Sequence, residues 1–367
     1  MRRNSNSNDV DLALKWVKGL TEDMGALEKL VSVPSPEDIR KLFLIDASTT
    51  LEESAELMKK HKEFYKLMCQ AREFDKSAYT ETVNDLDAIS MLQIWARNKQ
   101  IFSFDADFLA ELLNTDTPTF EKDSWDYLPY NPFYVDLSDS EELSQKIGKG
   151  FFLYIEKTGN DTFMPEMQNS YYVHLCRVTD EMYFCDMFSR KNTSGTVEIN
   201  KDATVVVPTM AMDKKHGEMF SIEDIKTGEA TLSSGLYDLL VMQILTYLSS
   251  LEPDIKENSI TKNTYRKPKT DSKPKNKFSE VQKWNVGESF GVSYRKWEKE
   301  RSASHGGHGG GSGASGVKKR PHSRKAHWSH YWYGSGDNKV RRPKWISATF
   351  VNASDTEMKV TVNTVSK

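Results

Sequence analysis

Cysteine is scarce in this chain. There are three in 367 residues, Cys69, Cys176 and Cys185. An odd number at wide spacing argues against a disulfide framework and matches no metal-ligand spacing, so a reducing, cytoplasmic setting is expected. Long apolar runs are missing as well. No stretch of about 18 apolar residues occurs, so no candidate for a membrane-spanning helix is present. The two arginines at positions 2 and 3 lead into polar residues instead of the apolar stretch of a signal peptide. No internal repeat period is visible. The glycine-rich tract 302–316, SASHGGHGGGSGASG, has no Gly-Lys-Ser/Thr ending, no strand feeding it and no helix directly after it, so it does not read as a phosphate loop.

What is present is unevenly charged. The net charge of −3 is the sum of two opposed parts. Residues 261–345 carry 21 Lys/Arg against 6 Asp/Glu, while the rest of the chain is strongly acidic. Such a division points to a polyanionic partner for one part, or to the two parts meeting each other.

The chain is long enough for two or three domains. Its patterning predicts an α+β fold in six segments. Residues 1–120 form a helical N-terminal region and 121–255 an α+β domain with a mixed or antiparallel sheet. A basic linker follows at 256–280, an ordered segment at 281–301 and a flexible Gly/Ser/His-rich insertion at 302–317. Residues 318–367 form a C-terminal basic, aromatic β-hairpin that packs on the body. Helix signals at the N-terminal end include Val10, Leu14 and Val17 on one face, Ser35-Pro36 before Asp38, and the Thr50/Glu53 capping box. Further signals are the stripe Phe64, Leu67, Met68, Ala71 and Phe74, and the cap Asp105. From about residue 130, short aromatic and β-branched runs separated by turns predict an antiparallel meander. Leu236, Leu240, Ile244 and Leu248 then mark a strong helix that stops before Pro253.

The stretch 320–352, RPHSRKAHWSHYWYGSGDNKVRRPKWISATFVN, concentrates three tryptophans, three histidines and many cations around a single acid, Asp337. As a hairpin turning at GSGDN, it places Trp328, His330 and Trp332 on one face and Tyr331 and Tyr333 on the other. Arg341, Pro343 and Trp345 share a face on the return strand. Three readings fit this chemistry. The rings and guanidinium groups pack as core, they stack bases and contact phosphates, or they form a hot spot for a protein partner. His322, His327 and His330 lack the Cys or acidic neighbours of a zinc site, so no metal and no cofactor are expected. Asp136, Glu156, His174 and Asp186 fall on predicted strands, which raises a metal-dependent nuclease, although acids stand on wet sheet faces by default. The expectation is therefore a binding protein without catalysis. Glu252-Pro253-Asp254 closes the long helix with acids that gain nothing from the helix dipole, so a cationic partner is expected there: the hairpin itself or a basic peptide.

These same residues carry a family resemblance. Arg320, Pro321, His322, Arg324, His327, Trp328, Tyr331, Trp332, Gly334, Trp345, Phe350, Val351 and Asn352 resemble the C-terminal signature of the second family of type V-A anti-CRISPR proteins. LPYNPFYVDLS, YLSSLEPDI with Glu252 and Asp254, and WNVGESFGVSYRKW with Gly287, Glu288 and Gly291 are similar to its other segments. The likeness spans roughly 100–352. It implies a cytoplasmic protein encoded by a phage or other mobile element. It implies recognition of the N-terminal peptide of the type V-A nuclease as a nascent polypeptide, followed by loss of the encoding mRNA, with ribosome or mRNA as further partners. It implies no catalytic residues. The candidate peptide- or RNA-binding residues are Arg320, His322, Arg324, His327, Trp328, Tyr331, Trp332, Trp345, Glu252 and Asp254. A general RNA-binding regulator and a metal-dependent ribonuclease stand as alternatives.

Overall fold

The computed structural model describes residues 33–42, 49–66, 90–116, 119–160, 168–178, 182–191, 195–196, 210–213, 234–258, 281–305, 322–336 and 339–351, with isolated positions 14, 18 and 70. The fold is a mixed α/β body with helices before it in the chain and a two-stranded hairpin near its C-terminal end.

The N-terminal helices begin where local capping chemistry predicts. α1 (Pro36–Leu42) opens with the Asp38 amide donating to Ser35 Oγ at 3.1 Å. α2 (Leu51–Lys60) starts at a complete capping box between Thr50 and Glu53. Phe64 is buried with Ile39 and Leu42 in a small cluster of their own. Leu67, Met68, Ala71, Phe74, Val10 and Val17 lie outside the described residues.

The body is an eight-stranded sheet. Its strands are β1 (Gln100–Phe104), β3 (Phe133–Asp136), β4 (Gly150–Lys157), β5 (Ser170–Val178), β6 (Met182–Lys191), β8 (Met210–Asp213), β9 (Ile255–Glu257) and β10 (Gln282–Val286), in the order β8-β6-β5-β4-β3-β1-β10-β9. The short strands β2 (Thr119–Phe120) and β7 (Gly195–Thr196) pair with each other outside it. The meander β3–β6 is antiparallel as expected, while β1 pairs in parallel with both β3 and β10. The sheet therefore draws strands from both sides of the boundaries anticipated at 120 and 281. β9 also takes the first residues of the anticipated linker, and residues 259–280 lie outside the described set.

Both faces of the central strands are covered, which is why GFFLYIEK reads as a nearly continuous apolar run. Phe102, Phe104, Phe133, Val135, Phe151 and Leu153 face one core. It is closed by α3 (Ala106–Asn114), α5 (Ser234–Ser249) and α6 (Glu288–His305). The alternate residues Ile101, Tyr134 and Phe152 face a second core with Met91, Leu92 and Trp95 of the helical segment 90–98. α4 (Glu141–Ile147), capped by Ser140, links β3 to β4. α6 runs past the boundary anticipated at 301, and residues 306–321 lie outside the described set.

The turn from β10 into α6 explains the glycines of WNVGESFG. Gly287 has φ +73°, and a Cβ there would lie 2.1 Å from Cγ of Phe108. A Cβ on Gly291 would lie 2.1 Å from Oδ1 of Asp105, the carboxylate that caps α3. Gly287→Ala combines a left-handed backbone, costing about 1–2 kcal/mol, with a displaced core ring, costing about 1–3 kcal/mol. A loss of about 2–5 kcal/mol is expected by urea denaturation, and a loss under about 1 kcal/mol would refute this account.

Candidate functional site

β12 (His327–Tyr333) and β13 (Val340–Ile346) form the predicted hairpin, paired in register from His327↔Ile346 to Tyr333↔Val340. Its base and its tip have different surroundings. At the base, Trp345 is 9% exposed and packs edge-on against Phe108, Tyr247 and Phe290, with ring centroids 5.1, 5.9 and 5.6 Å away. Its indole N–H donates to Thr115 Oγ1 at 3.3 Å. Trp328, directly opposite, donates its indole N–H to Gln243 Oε1 at 3.1 Å. The Gln243 amide donates in turn to the Thr115 carbonyl at 3.0 Å. Gln243 is fully buried within α5, so this polar link fixes the ribbon to the central helix.

Toward the tip the rings emerge. Tyr331, Trp332 and Tyr333 are 48%, 70% and 58% exposed. His327 and Arg324 are exposed as well. Trp332 and Trp345 stand on the same face of the ribbon, but the body extends beneath only the second.

The cations of β13 are engaged by the body. Arg341 pairs with Glu121 at 3.2 Å, and Lys344 with Glu252 at 2.6 Å. The Arg342 guanidinium lies 4.0 Å from the centre of the Tyr127 ring and donates to the carbonyls of Ser249 and Ser250 at 2.7 and 3.2 Å. A cation at the C-terminal end of α5 complements the helix dipole. Burial pulls the Arg342 pKa below its ordinary value, and the neighbouring Tyr127 and Tyr333 act against that.

The acidic turn after α5 thus meets the hairpin through Glu252, one of the two partners anticipated for it. Asp254 has another task. Its carboxylate accepts from the Ser289 amide at 2.8 Å and hydroxyl at 3.1 Å, holding the start of α6. Its own amide donates to the Tyr247 hydroxyl at 2.8 Å. His322 and Arg324 lie in β11 (His322–Arg324), which pairs with β14 (Thr349–Val351). Phe350 of β14 stacks on Trp297 of α6 at 5.0 Å. Arg320 lies outside the described residues.

Of the four chemistry-bearing positions of the meander, Glu156 and His174 meet, and Asp136 lies apart from them. Asp136 accepts from Lys283 Nζ at 2.8 Å and lies opposite Gly150 on β4. Glu156 is six residues further along that strand, about 20 Å away. There it joins Arg40 of α1 and His174 of β5 in a buried cluster, with Glu156–His174 at 3.0 Å. Asp186 pairs in register with Leu175. Among the described residues, no group of three or more His, Cys, Asp or Glu is placed to hold a metal ion. No helix among them is long and apolar enough to cross a membrane.

Sequence reasoning missed Gln243, Thr115 and Tyr127. Gln243 alone left a signal: it is an amide inside the apolar run LLVMQILTYL, where a polar side chain needs a partner.

The site is thus an aromatic ribbon, buried at its base and exposed at its tip, on a mixed α/β body. The chain belongs to the AcrVA2-like family, the anti-CRISPR type V subtype A2 family, whose model matches residues 102–353. Members of this family are inhibitors directed at the type V-A CRISPR system. Among solved structures, one described as "Crystal structure of AcrVA2" aligns with 94% of this chain and 97% of that chain, at 17% identity and a TM-score of 0.43. A search of curated proteins found no match.

Proposed function

We propose that the protein lowers expression of a type V-A CRISPR nuclease by binding the nuclease's N-terminal peptide as it leaves the ribosome, with loss of the encoding mRNA. Family membership supports the target system. The observation that carries peptide binding is the exposed trio Tyr331, Trp332 and Tyr333 on a ribbon whose base is locked into the core. Rigid, exposed aromatic rings give large contact area at low entropic cost, as in protein-binding hot spots. Of the other candidates, Trp345, Trp328, Glu252 and Asp254 hold the ribbon and α6 in place, while Arg324, His327, Tyr331 and Trp332 offer contact surface. His322 and Arg320 remain candidates through the signature.

The same rings beside Lys and Arg also favour a second reading, an RNA-binding regulator. One experiment separates the two. Reporter messages opening with the nuclease's first codons are translated in the presence of the protein. They are compared with synonymously recoded and frame-shifted versions. Peptide recognition predicts that the native and recoded messages are depleted alike and the frame-shifted message is spared. Depletion that follows nucleotide sequence, or retention of all RNAs with steep salt dependence, would replace the proposal with the RNA reading.

A further inference from the structure

β13 carries three cations, Arg341, Arg342 and Lys344, and the body does not satisfy them equally. Arg341 and Lys344 each have a carboxylate from the body, Glu121 and Glu252. Among the described residues, Arg342 has no carboxylate partner. Its Nη2 donates to the carbonyls of Ser249 and Ser250. Its Nε is buried without a hydrogen-bond partner. The end of a helix supplies only about half a unit of negative charge, so much of the guanidinium charge stays uncompensated. Burying a cation without a counter-charge is unfavourable, and burial is the first cause of the depressed Arg342 pKa. Asp126, the acid next to Tyr127 in the chain, is held elsewhere, by Lys157 and the Tyr171 hydroxyl.

Rings fix the position of this guanidinium. Its Cζ lies 4.0 Å from the centre of the Tyr127 ring and 5.8 Å from that of Tyr333. Tyr331 stands directly opposite Arg342 in the register, with Tyr333 two residues further on, so both share its face of the ribbon. All three tyrosines are exposed. A guanidinium with N–H groups to spare, beside exposed phenol O–H donors, matches an oxyanion. The surroundings choose between a carboxylate and a phosphate chain. Glu121 and Glu252 are held at positions one and two residues from Arg342 along the strand, about 3.3 Å per residue. A nucleic-acid strand carries a negative charge on every nucleotide and would bring some of them against these two carboxylates. A single carboxylate meets the one uncompensated cation.

From this geometry we infer that Arg342 is a carboxylate-binding residue, which takes one Asp or Glu side chain of the protein target while the rings of Tyr331 and Tyr333 pack against the segment that bears it. The inference rests on the peptide reading given above. It adds a requirement to that reading. Exposed rings alone ask for apolar area, whereas Arg342 asks for an acid at one position. Trp332, on the opposite face of the ribbon, makes a separate contact.

The test uses the full-length protein and synthetic peptides of the nuclease N-terminus in which each Asp or Glu is replaced singly by Asn or Gln. With the unchanged protein, one replacement is expected to weaken binding about tenfold or more, the effect of removing one partner of a charged contact. The peptides are then bound to Arg342→Gln and Arg342→Lys, with folding of each variant checked by urea denaturation. In Arg342→Gln the same peptide replacement is expected to change affinity less than about twofold, because the two changes remove one shared contact. Arg342→Lys is expected to recover part of the dependence, since it keeps the charge and loses the planar fork. A purely structural Arg342 would weaken every peptide alike, and that result overturns the carboxylate site while peptide recognition stands. Indifference of the unchanged protein to every acid in the peptide does the same. Failure of the unmodified peptide to bind overturns peptide recognition and this inference with it. Arg342-dependent binding of an RNA oligonucleotide that displaces the peptide would assign the guanidinium to phosphate and overturn the inference.

Discussion

Trp345→Ala is expected to cost about 3–5 kcal/mol of unfolding free energy, whereas Trp332→Ala is expected to change it by about 0.5 kcal/mol or less. The two residues share a face of one ribbon and differ in what lies beneath it. Removing the Trp345 indole opens a cavity bordered by Phe108, Tyr247 and Phe290 and takes away the donor to Thr115. Removing the Trp332 indole deletes a ring that is 70% exposed. Binding should respond in the opposite manner. At equal folded concentration, Trp332→Ala is expected to weaken target capture by about tenfold or more, the typical effect of losing a central aromatic anchor. Urea denaturation of both purified variants, with peptide binding measured in parallel, checks the pair. A Trp332→Ala protein that melts far below wild type would place this ring in the core and remove it from the contact surface. A Trp345→Ala protein of nearly wild-type stability would contradict the packing described for the base.

Much of this arrangement was legible in the sequence, because its signals are local. Ser35, the Thr50/Glu53 box and Asp105 cap helices through hydrogen bonds to amides two or three residues away. The meander, the long helix ending before Pro253 and the hairpin each carry their own periodicity. Alternation also placed Trp328 and Trp332 correctly on one face. It carries no information on how far the body extends beneath a ribbon, so it left core and contact surface undivided. β1 and β10 were harder still. They pair in parallel across about 180 residues of chain, and QIFSF and QKWNV are too short to announce themselves apart from the sheet that buries them. Arg342 read as one cation among many. Its place between Tyr127 and the carbonyls at the end of α5 follows from the meeting of three distant segments.

The second large effect is expected at the buried cluster that joins α1 to the sheet. Arg40, Glu156 and His174 are 1%, 5% and 3% exposed. Arg40 donates to Glu156 Oε1 through Nε at 3.1 Å and through Nη2 at 2.5 Å, while His174 Nε2 stands 3.0 Å from Oε2. Burial on its own would raise the Glu156 pKa. The charges of His174 and Arg40, with their hydrogen bonds, outweigh it and hold the carboxyl below its ordinary value of 4.5. A carboxyl whose pKa is depressed by folding contributes stability that is fully present above the unfolded value and is lost as pH falls through the folded one. Glu156→Gln removes the charge and leaves a buried guanidinium uncompensated, so a loss of about 3–5 kcal/mol is expected at pH 7. The gap between variant and wild type should narrow below about pH 4.5, as the wild-type carboxyl takes up its own proton. Urea unfolding of both proteins at pH 7, 5 and 3.5 measures it. A constant gap across that range would assign the effect to shape instead of charge. No gap at pH 7 would show that the cluster contributes nothing to holding the N-terminal helix on the sheet.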